Sequence, residues 1–257
     1  MDVIIMAGGT IGRGDPIYES ARGGPKALME IAGKPMVQWV VDALNRSQHV
    51  DSLFIVGLSE ECHLYSGKPV YYLKGGKNLM DSLLTGAYKV VELKPDSGYC
   101  LLVSADIPTI TGKIIDWLIT SANEPGIDIF YSVIPRPVME QRFPESKRSY
   151  IRVKDITICG GDMHVINAQR AINDNAIWKR ILESRKFLIR QLMILGFDVL
   201  LRVIFRKPTL EEGVKLASRR LGINGRVLIS PYAELGMDVD KPHQLKIIEN
   251  ELKNLNH

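Results

Sequence analysis

Residues 2–44 constrain this chain more than any other stretch. They open with Val3-Ile4-Ile5-Met6, a short apolar run without alternation, as expected of a strand buried on both faces of a parallel sheet. Ala7-Gly8-Gly9 follows at once, where the chain must turn. Two glycines there permit positive φ and let backbone N–H groups approach an anion closely. The loop continues through Gly12, Gly14, Gly23 and Gly24 and carries Arg13, Arg22 and Lys26. Gly33-Lys34-Pro35 then leads into residues 36–44, where Val37, Val40, Val41 and Leu44 recur at helical spacing. A glycine-rich loop with cations, hung on the carboxyl end of a first strand, is where an open α/β sheet binds a phosphorylated ligand.

Ala7-Gly8-Gly9 followed by PKALMEIAGKPMVQWVVDAL (residues 25–44) resembles the MobA-like NTP-transferase superfamily of sugar-nucleotide and cofactor nucleotidyltransferases. The resemblance implies a Rossmann-like three-layer α/β/α fold of the GT-A type, with a mostly parallel central sheet, built as one domain over residues 1–257. It also implies a magnesium-dependent reaction joining a nucleoside triphosphate to a phosphorylated acceptor, with loss of pyrophosphate. The family's loop is shorter and carries an arginine soon after the glycines. Here residues 10–24 make a longer loop that offers Arg13 or Arg22 to the triphosphate, and both stay open.

Composition narrows the setting. An apolar fraction of 46% and a charged fraction of 24% are those of an ordinary globular protein, and 257 residues suffice for one full core. The chain starts on a strand with no basic and apolar leader, and Cys62, Cys100 and Cys159 are too sparse for a zinc site or disulfide framework. A cytoplasmic location is the expectation. The net charge of +4 is uneven: residues 136–226 hold nineteen Lys and Arg against nine Asp and Glu, so +10 sits there and −6 on the remainder. Such a basic region suits an acidic substrate, a membrane surface or nucleic acid and does not choose among them; the expected partners are a nucleoside triphosphate and a phosphorylated small molecule, with no nucleic acid.

Residues 52–57, 70–73, 99–104 and 128–133 read as further strands, and residues 78–93 as a helix with Gly86 at a close contact. Where the family places a base-contacting loop before this helix, the chain has Gly75, Gly76, Asn78 and Ser82; a plain turn with Asn78 as cap is the competing reading. Residues 99–104 run into Ala105-Asp106-Ile107-Pro108, which sets a carboxylate just past a central strand. Asp106 matches the family's magnesium-binding aspartate. Residues 138–150 read as an exposed polar arm, and Cys159-Gly160-Gly161-Asp162 either as an acceptor loop, as in relatives, or as an ordinary hairpin turn.

Residues 173–222 are the least family-like and read as a basic helical insertion, packing on the core or a second subunit, or forming a surface for a lipid phosphate. Residues 187–205 are apolar, but Arg190, Asp198 and Arg202 argue against a membrane span. Thr209-Leu-Glu-Glu212 is a capping box. Gly236-Met-Asp-Val-Asp-Lys-Pro242 precedes a last helix over residues 243–255, with Asp240 as its expected cap. Asp238 holds the place where relatives set an acid or amide four residues before a proline. A homodimer is the candidate assembly.

Attack on an α-phosphorus brings two anions together, so charge neutralisation comes first. Asp106 and Asp238 would supply the protein ligands of a magnesium ion, Lys26 would cover the α- or β-phosphate, and Arg13 or Arg22 with the amides of Gly8 and Gly9 would hold the leaving pyrophosphate, Ala7 being counted with these glycines as nucleotide-binding. Two other classes compete. A glycosyltransferase using a nucleotide-sugar would need Asp238-Val-Asp240 as its metal motif, too late in the chain and with no work for Lys26. A nicotinamide-dependent oxidoreductase would need a glycine spacing that Gly9, Gly12 and Gly14 do not give.

Overall fold

The computed structural model describes residues 1–21, 24–95, 98–173 and 208–255. Its strands are β1 (Asp2–Met6), β2 (Glu30–Ile31), β3 (Lys34–Pro35), β4 (Leu53–Val56), β5 (Val70–Leu73), β6 (Tyr99–Ser104), β7 (Ile129–Pro135), β8 (Ile151–Arg152), β9 (Thr157–Gly160), β10 (Met163–Asn167) and β11 (Gly225–Ile229). Its helices are α1 (Tyr18–Ala21), α2 (Met36–Arg46), α3 (Leu79–Leu93), α4 (Gly112–Ser121), α5 (Arg136–Arg142), α6 (Ala168–Asn173), α7 (Leu210–Leu221) and α8 (Pro242–Leu255).

The apolar runs become parallel neighbours in the order β5-β4-β1-β6. Side chains of a strand alternate between faces, so each run feeds two cores. Val3, Ile5, Leu53, Ile55, Leu101 and Val103 join the core closed by α2, α4, α5 and α8. Ile4, Phe54, Val56, Cys100 and Leu102 join the other, closed by α3 and α6. This is a Rossmann-like three-layer α/β/α arrangement, and its mostly parallel sheet leaves the glycine loop and Asp106 on one edge. Gly86 is the point where α3 meets β1: a Cβ there would lie 2.6 Å from Ile4 Cγ2.

The other half of the sheet is less regular. β10 runs antiparallel between β6 and β7, and β9 continues along β7 in the same direction. Val133 faces Gly160 while Phe130 faces Val165, so three steps along β7 match five along its partner. Gly161 and Asp162 are the two extra residues, a bulge within one long strand. The expected hairpin turn at residues 159–162 is therefore corrected: β7 lies beside both segments, and no reversal occurs there. Gly161 is needed because Ser132 Oγ lies 2.3 Å from where its Cβ would stand.

Two further expectations are corrected. Residues 138–150 are not simply an exposed arm, because α5 buries Met139, and Phe143 and Ser146 are buried just beyond it. Asp240 does not cap α8; its side chain pairs with Lys26, and its backbone N–H donates to Gln244 Oε1 at 3.1 Å. The capping box at Thr209 and Glu212 is present, and α7 closes on Gly222 at φ 69°. Most of the expected insertion, residues 174–207, lies outside the described residues, as does the apolar stretch 187–205. Among the described residues no helix is long and apolar enough to cross a membrane, and Cys62, Cys100 and Cys159 are free thiols.

Gly86→Ala is expected to lower unfolding stability by about 1–3 kcal/mol, the usual range for overpacking a tight core contact, read as a lower denaturation midpoint with unchanged slope. An unaltered midpoint would mean that α3 does not press on β1 at this position.

Candidate active site

The carboxyl ends of β1, β4, β5 and β6 and the bulge after β9 surround a cleft of about 1140 Å³, ample for a nucleotide and a second small molecule by the usual size of ligand pockets. Its floor is backbone. Gly57, at φ +103°, packs so closely under the loop that a Cβ would lie 2.2 Å from Gly8 Cα, and Gly75 crowds Gly57 from the other side. The amides of Gly8 and Gly9 make no hydrogen bond to other described residues, which leaves them available to an anion.

Lys26 reaches this floor through a neck. Its N–H donates to Gly9 O at 2.9 Å, and Thr10 and Pro25 form a bridge beside it. The intervening loop folds on itself, burying Ile11, Ile17 and Ala21. Arg13 sits on the exposed turn of that loop and does not line the cleft; Arg22 lies outside the described residues.

The acids converge on Lys26 from two directions. β6 delivers Asp106, whose Oδ1 accepts from Ser104 Oγ at 2.5 Å. In the segment after the 3₁₀ turn Ala233–Gly236, Met237 and Val239 are fully buried while Asp238 and Asp240 line the cleft. Val239 N–H donates to Asp106 O at 3.0 Å, which fixes the two segments together. Lys26 Nζ then donates to Asp106 Oδ2 at 2.6 Å and to Asp240 Oδ1 at 2.5 Å.

A second cation completes the group. Arg148 Nη1 pairs with Asp238 Oδ1, while Nη2 reaches Gly160 O at 3.4 Å and Asp162 Oδ2 at 3.8 Å. Asp162 is carried there by the bulge: its N–H donates to Leu235 O at 2.7 Å, and its own O accepts from Ser104 N–H at 3.0 Å. Burial alone would depress both cations, but Asp106 and Asp240 hold Lys26 above its ordinary value, and Asp238 and Asp162 do the same for Arg148. Asp240 is lowered, Lys26 outweighing the cost of burial. Asp238 is raised well above the usual carboxylate range, first by burial and then by Asp162, against the pull of Arg148.

On the other flank, Asn78 caps α3, its Oδ1 accepting from Asp81 N–H at 2.9 Å, and Ser82 Oγ accepts from Gly76 N–H at 3.0 Å. The cap reading of Asn78 therefore holds, although Gly76, Asn78 and Ser82 all line the cleft. Of the residues singled out in the sequence, Ala7, Gly8, Gly9, Lys26, Gly76, Asn78, Ser82, Asp106 and Asp238 share this cleft, and Arg13 does not. The sequence reading missed Arg148 and the acidic role of Asp240. The alternation Met-Asp-Val-Asp was a usable signal for the second; nothing in the polar run around Arg148 marked the first.

An Asp238→Asn protein without metal is expected to melt at a higher temperature than the wild type at pH 7.5, because a carboxylate whose native value is raised loses stability as pH rises above its unfolded value. The gap should close near pH 4; a lower midpoint for the variant at neutral pH would refute the assignment of strain to Asp238.

The profile of the MobA-like NTP transferase domain matches residues 3–170. The bifunctional protein GlmU of Thermoanaerobacter pseudethanolicus is 29% identical over 168 residues, 62% of this chain and 36% of that protein. A probable molybdenum cofactor guanylyltransferase of Thermococcus gammatolerans is 23% identical over 104 residues, 40% of this chain and 51% of that one. The chain thus matches about a third of the first curated relative's length and half of the second's. Among solved structures, a hypothetical transferase from Thermus thermophilus superposes with a TM-score of 0.79 at 29% identity, covering 95% of this chain and 98% of that one. A CMP:2-keto-3-deoxy-manno-octonic acid synthetase complexed with CTP shares the fold at a TM-score of 0.59 and 15% identity, over 99% of both chains. With the profile covering well over half of its length, the chain belongs to the MobA-like NTP transferase family of nucleotidyltransferases.

Proposed function

We propose that the protein transfers a nucleoside monophosphate from a nucleoside triphosphate to a phosphorylated small molecule, releasing pyrophosphate, with magnesium held by Asp106 and Asp238. The observation that carries this reading is the meeting of Asp106, Asp238 and Lys26, from distant parts of the chain, beside the free amides of Gly8 and Gly9.

The donor set suits the ion. Hard carboxylate oxygens are what magnesium prefers, and it commonly takes only one or two of them from protein. Asp238 is raised by burial and by its acidic neighbours, a repulsion that a divalent cation between Asp106 and Asp238 would relieve. Bound there, the ion would neutralise phosphate oxygens and polarise the α-phosphorus. The chain's own residues do the rest. The Gly8 and Gly9 amides cradle the departing β- and γ-phosphates. Lys26, kept cationic by two acids, trades one of them for a phosphate oxygen and stabilises the charge that develops as the bond to pyrophosphate breaks. Asp240, the more exposed of its two partners at 58% side-chain exposure, is the one it releases. Gly76, with the loop set by the Asn78 cap and by Ser82, borders the nucleoside. An acceptor that is already a phosphate dianion needs no general base. The first loop offers Arg13 or Arg22 to the triphosphate.

The test is a pyrophosphate-release screen of the four NTPs with magnesium against sugar phosphates, phosphorylated polyols and lipids, and cofactor phosphates. Turnover with one pair, lost in EDTA, is the expected result. Asp106→Asn should abolish that turnover while leaving circular dichroism and melting cooperative; full activity would rule out the metal site. Lys26→Ala should cut kcat by about 10²–10³, the range for losing one charge-stabilising donor; an unchanged kcat would remove Lys26 from the chemistry.

A further inference from the structure

Arg148 enters the cleft on a deliberately built support. Phe143 and Ser146 are each 1% exposed. Ser146 N–H donates to Phe143 O at 3.1 Å, and Ser146 O lies 3.2 Å from His243 Nε2. With the arm pinned at both points, Lys147 takes a left-handed conformation at φ +50°, uncommon for a side-chain-bearing residue. The turn brings Lys147, Arg148 and Ser149 to the wall of the cleft.

That wall is not where the triphosphate floor lies. Gly8 and Gly9 follow β1, whereas Arg148 sits against Gly160 and Asp162 in the bulged strand, with β6 between. Two strand spacings separate them, about 10 Å. A guanidinium has five N–H donors; among the described residues Arg148 directs them to Asp238 and to Gly160 O, with Asp162 Oδ2 farther off at 3.8 Å. Those three contacts leave donors for something that enters the cleft.

Charge points the same way. Among the described ion pairs, Asp106, Asp162, Asp238 and Asp240 share Lys26 and Arg148, four acids against two cations. A divalent cation on Asp106 and Asp238 would offset that acidic excess and draw Asp238 away from the guanidinium. Arg148 would then turn its planar fork to the next anion within reach, with Lys147 beside it. We propose that Arg148 is the residue that recognises the acceptor's phosphate, and that the acceptor is accordingly a phosphate monoester gripped at the bulge. This rests on the nucleotidyltransferase reading above and adds a specificity residue to it.

Inorganic phosphate serves as the probe. The wild-type protein is saturated with magnesium and an α,β-methylene NTP, chosen from the four by direct calorimetry, so that the triphosphate floor is filled. Phosphate is then titrated in. The wild type is expected to bind it, and Arg148→Gln to bind it at least tenfold more weakly. Because that variant leaves Asp238 without its partner and can fail to fold, Arg148→Lys is measured beside it. It keeps the charge but not the fork, and a loss of about fivefold or more is expected. Equal phosphate affinity in the wild type and in folded Arg148→Lys, or no phosphate binding by the analogue-saturated wild type, overturns the assignment. Failure of every analogue to bind overturns the nucleotidyltransferase reading itself, and the assignment with it.

Discussion

Four carboxylates held together inside a cleft are the constraint on which the rest of the structure turns. Asp106, Asp162 and Asp238 are mostly buried, and an unpaired buried charge costs several kcal/mol. The protein provides two cations, and neither is a loose surface side chain. Lys26 and Arg148 are 18% and 16% exposed and are each shared between two acids. The alternation of acid and base makes the group tolerable without making it neutral. Such an arrangement costs stability and leaves an acidic excess in the cleft, the kind of compromise that functional sites make.

The backbone explains how so costly a group of acids is assembled from three separate segments. Asp106 and the stretch holding Asp238 and Asp240 are bonded main chain to main chain through Val239, so their acids cannot drift apart. Asp162 is carried by a bulge, which re-aims a side chain that a regular strand would have placed elsewhere. The bulge is tied on both sides, to Ser104 at the end of β6 and to Leu235 ahead of Asp238. A single set of main-chain hydrogen bonds thus joins the segments that carry all four acids. Lys26 is added from the start of a short 3₁₀ helix, Lys26–Leu28, and Arg148 from the arm after α5.

How much of this was legible follows from where the information is stored. The parallel half of the sheet was readable because β1, β4 and β6 are continuous apolar runs, and each ends at a signal: two glycines, Gly57, or Asp106. The alternate side chains of each run divide between two cores, which is why no polar residue interrupts them. The bulge was not readable. Cys159-Gly-Gly-Asp162 has the composition of a turn, and only the register on β7 distinguishes an inserted pair of residues from a reversal. Arg148 was invisible for a similar reason. Its surroundings are polar, and its position comes from the burial of Phe143 and Ser146 and from the contact of Ser146 with His243, far along the chain. Asp240 followed the local rule for a helix cap and was overruled by a tertiary ion pair with Lys26.

The long first loop shows why departure from a family pattern need not disturb its chemistry. The distance that matters is that from Lys26 to the Gly8 and Gly9 amides, and it is set by the neck where Lys26 N–H meets Gly9 O. Whatever lies between Thr10 and Pro25 hangs outside that closure. Closing a longer loop costs little extra, because the entropy grows only with the logarithm of its length. Ile11, Ile17 and Ala21 offset part of it by packing into the core beside α2. The loop can thereby be long while Lys26 stays where the glycines need it. The closure at the neck, rather than the number of residues between its ends, is what lets this site tolerate the extra residues.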